Sequence, residues 1–169
     1  DQLWVGMGGQ YIGTFTAPFL DIPPTGRTAT LRYHEFFRIE RGRAVEMQAL
    51  WDIPELMMQA GVWPMVPSLW PEWAVPGPAS QDGLRIDGDG THALQVVGDM
   101  LGALKRNNEG VEAMELPCYW HPRASWYGPS GIGTGRGIRG FREHHQIPFL
   151  DAMPDRRALM ENGHFFGEG

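Results

Sequence analysis

The chain has 169 residues, 42% of them hydrophobic, and its 14 Lys and Arg against 20 Asp and Glu leave a net charge of −6. That is enough chain and apolar content for a compact core, while the acidic balance excludes a nucleic-acid binder, which neutralises phosphates with clustered basic residues in excess. No run approaches the roughly 20 apolar residues of a membrane span, and the single cysteine, Cys118, permits no internal disulfide, which points to a reducing, cytoplasmic setting.

Leu3 to Phe15 is dotted with aromatic and β-branched residues and predicts a strand. Pro18, Pro23, Pro24 and Gly26 then break it into a rigid loop. Thr28 to Ile39, with Thr30, Tyr33, Phe36, Phe37 and Ile39, predicts a second strand, and Glu40-Arg41-Gly42-Arg43 a tight turn. The run Ala44 to Trp51 puts Val45, Met47, Ala49 and Trp51 on one face and Glu46 and Gln48 on the other, the pattern of a strand with one wet side. A long antiparallel hairpin follows from these runs. Residues 62–89 hold five of the 14 prolines and read as a linker. Leu94, Val97, Leu101 and Leu104 then recur at helical spacing within His92 to Lys105. Ser125 to Pro129 reads as a short element, followed by a glycine-rich loop and a helix from Ile138 to Leu150 that Met153-Pro154-Asp155 ends. Asn162 to Phe166 reads as the start of a further strand.

Several of these residues resemble the SnoaL-like polyketide cyclase family of the NTF2-like superfamily. They are Gly13, Phe15, Phe19-Leu20 and Ile22-Pro23-Pro24-Thr25-Gly26-Arg27, then Phe37-Arg38-Ile39-Glu40 with Gly42-Arg43, then Trp51-Asp52. The resemblance implies an α+β fold: a curved antiparallel sheet wrapped by helices into a cone with one deep cavity. The helix, the Trp126-Tyr127-Gly128-Pro129 element, the loop, the second helix and Pro154-Asp155 resemble the first half of such a domain, so the halves stand in inverted order. Residues 1–61 then read as the C-terminal half of one SnoaL-like domain, 62–90 as a Pro/Gly-rich linker and 91–169 as the N-terminal half of a second. A start at Asp1 without methionine favours a fragment of a tandem protein. A circular permutant and a complete but divergent domain are the alternatives.

Other chemistries find little support. Gly135, Gly137 and Gly140 satisfy G-x-G-x-x-G and Asp155 lies near the distance of a ribose-binding acid, yet no buried strand precedes the glycines. His34, His92, His121, His144, His145 and His164 include no i, i+4 pair of a helical zinc motif, so no metal is expected. Arg136, Arg139 and Arg142 read either as a solvated helix face or as an anion site at a helix N-terminus.

Cyclases of the resembled family close a carbocycle by an intramolecular aldol reaction without metal or cofactor, using a cavity carboxylate as base. Such a base works best when desolvation brings its pKa toward the working pH. Asp52, at the end of the third predicted strand, is the first candidate, against the reading that it caps the helix begun by Ile53-Pro54-Glu55. His34 and Glu35 are the next; strand alternation lets only one face inward. Alignment on the resemblance puts the family's polar cavity residue at Glu35 and its acid near Ala49, which cannot act as a base. His145, four residues from both Phe141 and Phe149, reads as a core residue or as a polar group on a cavity wall, with His144 offset and wetter. Phe37, Trp51, Trp126, Tyr127 and His144 are the candidates for binding a flat apolar ligand. Two functions remain: an acid–base cyclase or isomerase acting on a small, carbonyl-rich apolar molecule, or a non-catalytic NTF2-like ligand-binding or dimerisation module. The expected partner, besides the ligand, is a second copy or the missing half-domains.

Overall fold

The computed structural model describes residues 3–72 and 88–167. These fall into two compact units. The first holds the chain to Ser68, with Glu72 and Pro129–Gly133; the second holds Leu69–Pro71, 88–128 and 134–167.

In the first unit, β1 (Leu3–Thr14), β2 (Thr28–Glu40) and β3 (Arg43–Trp51) form an antiparallel sheet with β2 in the middle. The β2–β3 connection is a two-residue turn in which Arg41 (φ 51°) and Gly42 (φ 72°) are both left-handed, the backbone twist that lets two right-twisted strands continue as a hairpin. Arg38 pairs with Glu46 but Ile39 with Ala44, so Val45 is the extra residue of a bulge. The proline-rich loop between β1 and β2 is tied at its base, where Phe15 donates to the Arg27 carbonyl at 2.9 Å and Gly26 to the Phe15 carbonyl at 2.8 Å.

Helix α1 (Ile53–Gln59) follows β3 directly, with Pro54 in its first turn. Its Leu56 packs with Ile22 and Ala29 in a small core flanked by Phe15, Phe19, Leu31 and Met57. Full burial of a leucine of this kind contributes roughly 2–3 kcal/mol. The helix also solves a hydrogen-bonding problem. β3 ends opposite Tyr33, leaving the first residues of β2 without a partner strand on that side. Side chains of α1 supply the partners instead: Arg32 N–H donates to Glu55 Oε2 at 2.6 Å, Thr30 N–H to Gln59 Oε1 at 2.9 Å, and Gln59 Nε2 returns a bond to the Thr30 carbonyl at 2.7 Å. Glu55 is buried, with its carboxylate held by the Arg32 amide and the Thr30 hydroxyl.

The second unit contains α2 (Thr91–Leu104), two short 3₁₀ turns, and α3 (Leu116–Tyr119). An antiparallel ribbon of β4 (Ser125–Tyr127) and β5 (Thr134–Arg136) follows, then a helix from Gly137 to Ala152. That helix is α-helical in α4 (Gly137–Phe141) and α5 (Ile147–Ala152) and widens into a π turn over Arg142–Gln146. Ala103, Met114, Leu116 and Phe141 are its buried apolar residues, with Trp120 and Trp126 at 4.6 and 5.2 Å from the Phe141 ring.

The α+β class with antiparallel sheets is present, and it is compatible with an NTF2-like fold. Two local expectations are corrected. The glycine-rich stretch is not all loop: Thr134–Arg136 pairs with Ser125–Tyr127. Residues Asn162 to Phe166 form no strand; a 3₁₀ turn occupies Met160–Asn162, and the Phe165 ring folds back toward Gly163, since an apolar pair with no strand edge to join gains nothing by extending. Of the expected linker, residues 73–87 lie outside the described residues. Two tryptophans of its described part are packed. Trp63 lies against Gly131 within the first unit, and Trp70 lies against Gly135 and Gly140 within the second. Among the described residues no helix is long and apolar enough to cross a membrane.

Candidate functional site

Glu35 lies at the centre of the three-stranded sheet, paired in register with Met7 on β1 and Ala49 on β3, and is only 5% exposed. Strand alternation sets its face: Tyr33 and Phe37 flank it on β2, with Val5, Met7 and Tyr11 from β1 and Met47 and Trp51 from β3. A carboxylate in such surroundings needs hydrogen-bond donors. Two arrive from the flanking strands, Tyr11 Oη at 2.7 Å and Trp51 Nε1 at 2.9 Å, both on Oε1. The Tyr11 ring stacks on Tyr33 at 4.4 Å, and Tyr33 in turn leans over Gly9, where a Cβ would meet its hydroxyl at 2.9 Å. Donation to the Glu35 carboxylate raises the Tyr11 phenol above its ordinary pKa, because ionising it would set two negative charges against each other.

His34 projects from the opposite face, exposed, beside Gly8 and Leu50. Alternation therefore separates the two neighbouring candidates and selects Glu35. Phe37 is half-buried on the Glu35 face, and Trp51 is both wall and donor.

Asp52 occupies the N-cap position of α1, but its side chain makes no capping bond. Its Oδ2 instead accepts the Ser130 N–H at 2.9 Å, a contact inside the first unit, while Asp52 Oδ1 and Ser130 Oγ are buried with no hydrogen-bond partner among the described residues. The carboxylate thus anchors the Pro129–Gly133 loop.

In the second unit, His145 lies in the π turn, stacked on Trp126 at 4.4 Å and 22°, with Phe141 at 5.2 Å and Phe149 at 5.4 Å. Burial pushes its pKa below the usual histidine value, and the Arg156 charge adds to the shift. At neutral pH it is an uncharged imidazole. His144 is half-buried and rests against Trp70 at 4.4 Å. Tyr127 is exposed.

Residues 1–60 match the SnoaL-like polyketide cyclase family. The SnoaL-like segment thus covers the sheet, the Glu35 cluster and α1. No curated protein and no solved structure shows significant similarity to the chain.

Ala49 sits directly across from Glu35, so the two are cross-strand neighbours on one face. Here only one of the two positions carries a carboxylate. Sequence reasoning missed Tyr11, whose signal was its two-residue phase with Leu3, Val5 and Met7. It also missed Glu55, treated as a first-turn residue although it is buried on β2. The glycine motif is explained without a nucleotide: a Cβ at Gly135 or Gly140 would fall 1.7 or 1.8 Å from the Trp70 ring. Two of the three arginines of the basic cluster are paired, Arg139 with Glu143 at 2.7 Å and Arg142 with Glu112 at 2.6 Å. Among the described residues no group of His, Cys, Asp and Glu could hold a metal ion.

Proposed function

We propose that the SnoaL-like segment supports polyketide-cyclase-type acid–base chemistry, without a cofactor, on a small, carbonyl-rich, largely apolar molecule, with Glu35 as the base. The observation that carries this reading is a nearly buried carboxylate at the centre of an apolar sheet face, opposite the alanine that stands where the resemblance places the family's acid. Tyr11 and Trp51 both bind Oε1, which leaves Oε2 as the atom to take a proton from a carbon between two carbonyls. The carbanion then attacks a second carbonyl of the same molecule, forming the ring bond and an alkoxide. Once Glu35 is neutral its hold on the Tyr11 hydroxyl weakens, so that phenol can turn to donate to the alkoxide. Proton return from Glu35 to Tyr11 closes the cycle. The aromatic neighbours Tyr33, Phe37 and Trp51 suit a flat substrate.

The test is deuterium exchange at the central carbon of a cyclic β-diketone, followed by NMR, in wild type and Glu35→Gln. The amide keeps an oxygen for Tyr11 and Trp51 but cannot act as the base, so exchange should fall by about 10²-fold or more with the circular-dichroism spectrum intact. Equal exchange in both proteins removes Glu35 from the chemistry.

A second reading is favoured by one observation. Leu3, Val5, Met7 and Met47, on the Glu35 face, are each more than two-fifths exposed, an apolar patch that suits ligand binding or a dimer without catalysis. Sedimentation of wild type against Met7→Glu distinguishes it: a dimer that dissociates in the variant supports assembly through this face.

A further inference from the structure

The second unit contains a half-open cavity of about 620 Å³. This is the size range of small-molecule sites, roughly 300–1,000 Å³. Three features of its lining are independent of the Glu35 cluster and of the SnoaL-like segment.

The first is a flat aromatic wall. His145 and Phe149 stack 5.4 Å apart with their planes only 19° from parallel, and Phe141 stands beside them. The second is charge. Lys105, Arg156 and Arg157 line the cavity against a single carboxylate in the lining, Glu161. Arg156 lies over the Phe149 ring at 4.9 Å and bonds the Met153 carbonyl, while Lys105 and Arg157 have no ion pair among the described residues. The third is Gln146, a lining residue 4% exposed, whose Nε2 donates to Met114 Sδ at 2.9 Å. Its Oε1 is buried with no hydrogen-bond partner among the described residues. A buried acceptor left unpaired is uncommon in native structures and calls for a donor.

We propose that this cavity binds a planar aromatic carboxylate bearing a ring hydroxyl. The ring lies against Phe149, Phe141 and the uncharged His145. The carboxylate sits among Lys105, Arg156 and Arg157, where a guanidinium can hold it through paired N–H donors. The hydroxyl donates to Gln146 Oε1 and satisfies the orphaned acceptor. An aliphatic acid would gain the charge term and lose the stacking; a neutral aromatic would do the reverse.

The experiment titrates the full chain with 6-hydroxy-2-naphthoate, 2-naphthoate, 2-naphthol and decanoate by isothermal calorimetry. Hydroxynaphthoate should bind most tightly, with Kd about tenfold or more higher for 2-naphthol and severalfold higher for 2-naphthoate and decanoate. The Arg156→Gln, Arg157→Gln double variant should weaken the naphthoates by about tenfold and leave 2-naphthol unchanged. Gln146→Leu should make the two naphthoates bind equally. Should that core substitution unfold the unit, the double variant at the rim decides alone. Absence of hydroxynaphthoate binding up to about 1 mM, equal affinity for 2-naphthol, or an unchanged Kd in the double variant each overturns the proposal.

Discussion

Gly135→Ala is the sharpest test of how the second unit is held together. Neither Gly135 nor Gly140 has a left-handed backbone, so alanine is sterically allowed by the main chain at both. The obstacle is Trp70. A Cβ at position 135 falls 1.7 Å from the indole, where ordinary contact begins at 3.4 Å, so the ring must retreat by about the same 1.7 Å. It cannot do so by moving its backbone, because the neighbouring Pro71 carbonyl accepts the Thr134 N–H at 3.0 Å. The ring must swing out and lose both the seat on the two glycines and the contact with His144. A tryptophan buries roughly 200 Å², and a half-buried one about half of that, which at about 25 cal/mol per Å² amounts to ~2.5 kcal/mol. Urea denaturation should therefore show Gly135→Ala destabilised by about 2–3 kcal/mol. In a Trp70→Ala background the clash is gone, and the same substitution should be neutral or stabilising by up to about 1 kcal/mol through the lost freedom of glycine in the unfolded chain. An equal cost in both backgrounds would refute the seating of Trp70 on these glycines.

Glu55→Ala leaves the Arg32 amide without its acceptor and the Thr30 hydroxyl with only the longer bond to Gln59, and should cost about 1–3 kcal/mol by urea denaturation, with Glu55→Gln recovering much of it. His145 gives a pH signature. Its folded pKa is below the unfolded value of 6.5, so as pH falls through 6.5 the unfolded state takes up the proton first and stability declines until the lower folded pKa is reached. His145→Phe should flatten that decline, measured as the change in urea midpoint between pH 7.5 and 5.5 relative to wild type; an identical slope in both proteins contradicts the burial of a neutral imidazole. Of the four tyrosines, Tyr11 should ionise above the ordinary phenol range in an alkaline ultraviolet titration, and Glu35→Gln should return it toward 10. If the titration curve is the same in both, the Tyr11–Glu35 bond is absent in solution.

The strands and long helices were legible because each carries its own periodicity. The expected Thr28–Ile39 and Ala44–Trp51 runs appear as Thr28–Glu40 and Arg43–Trp51, and the helix at His92–Lys105 as Thr91–Leu104. Alternation also predicted that His34 and Glu35 would part. It could not say which faces the apolar side, because that depends on what the neighbouring strands place opposite, and the Tyr11 and Trp51 donors meet only through the register of three strands. β5 was hidden for another reason: in Thr134–Arg136 the middle residue is glycine, which gives no pattern to read. The seat of Trp70 joins residues about 65 positions apart, and nothing local at either end announces it. His145 was placed correctly against Phe141 and Phe149 from its four-residue spacing, whereas the cavity beside it depends on Lys105, Arg156 and Arg157 arriving from other segments.

The π turn over Arg142–Gln146 makes the length of this helix a functional variable. Such a turn holds one residue more than the α-helical path between the same two ends. Removing a single residue inside it would let the helix close into regular α geometry with its backbone bonds intact, so the chain would lose nothing in folding. The segments on either side would keep their places, because the α-helical path joins the same two ends. The residues of the turn itself would shift instead, and His145 is one of them, so it would leave its place between Phe141 and Phe149. A one-residue length difference here is therefore the smallest edit that could dismantle the aromatic wall while sparing the helix. Natural variants that keep or drop it should divide into chains with and without that wall.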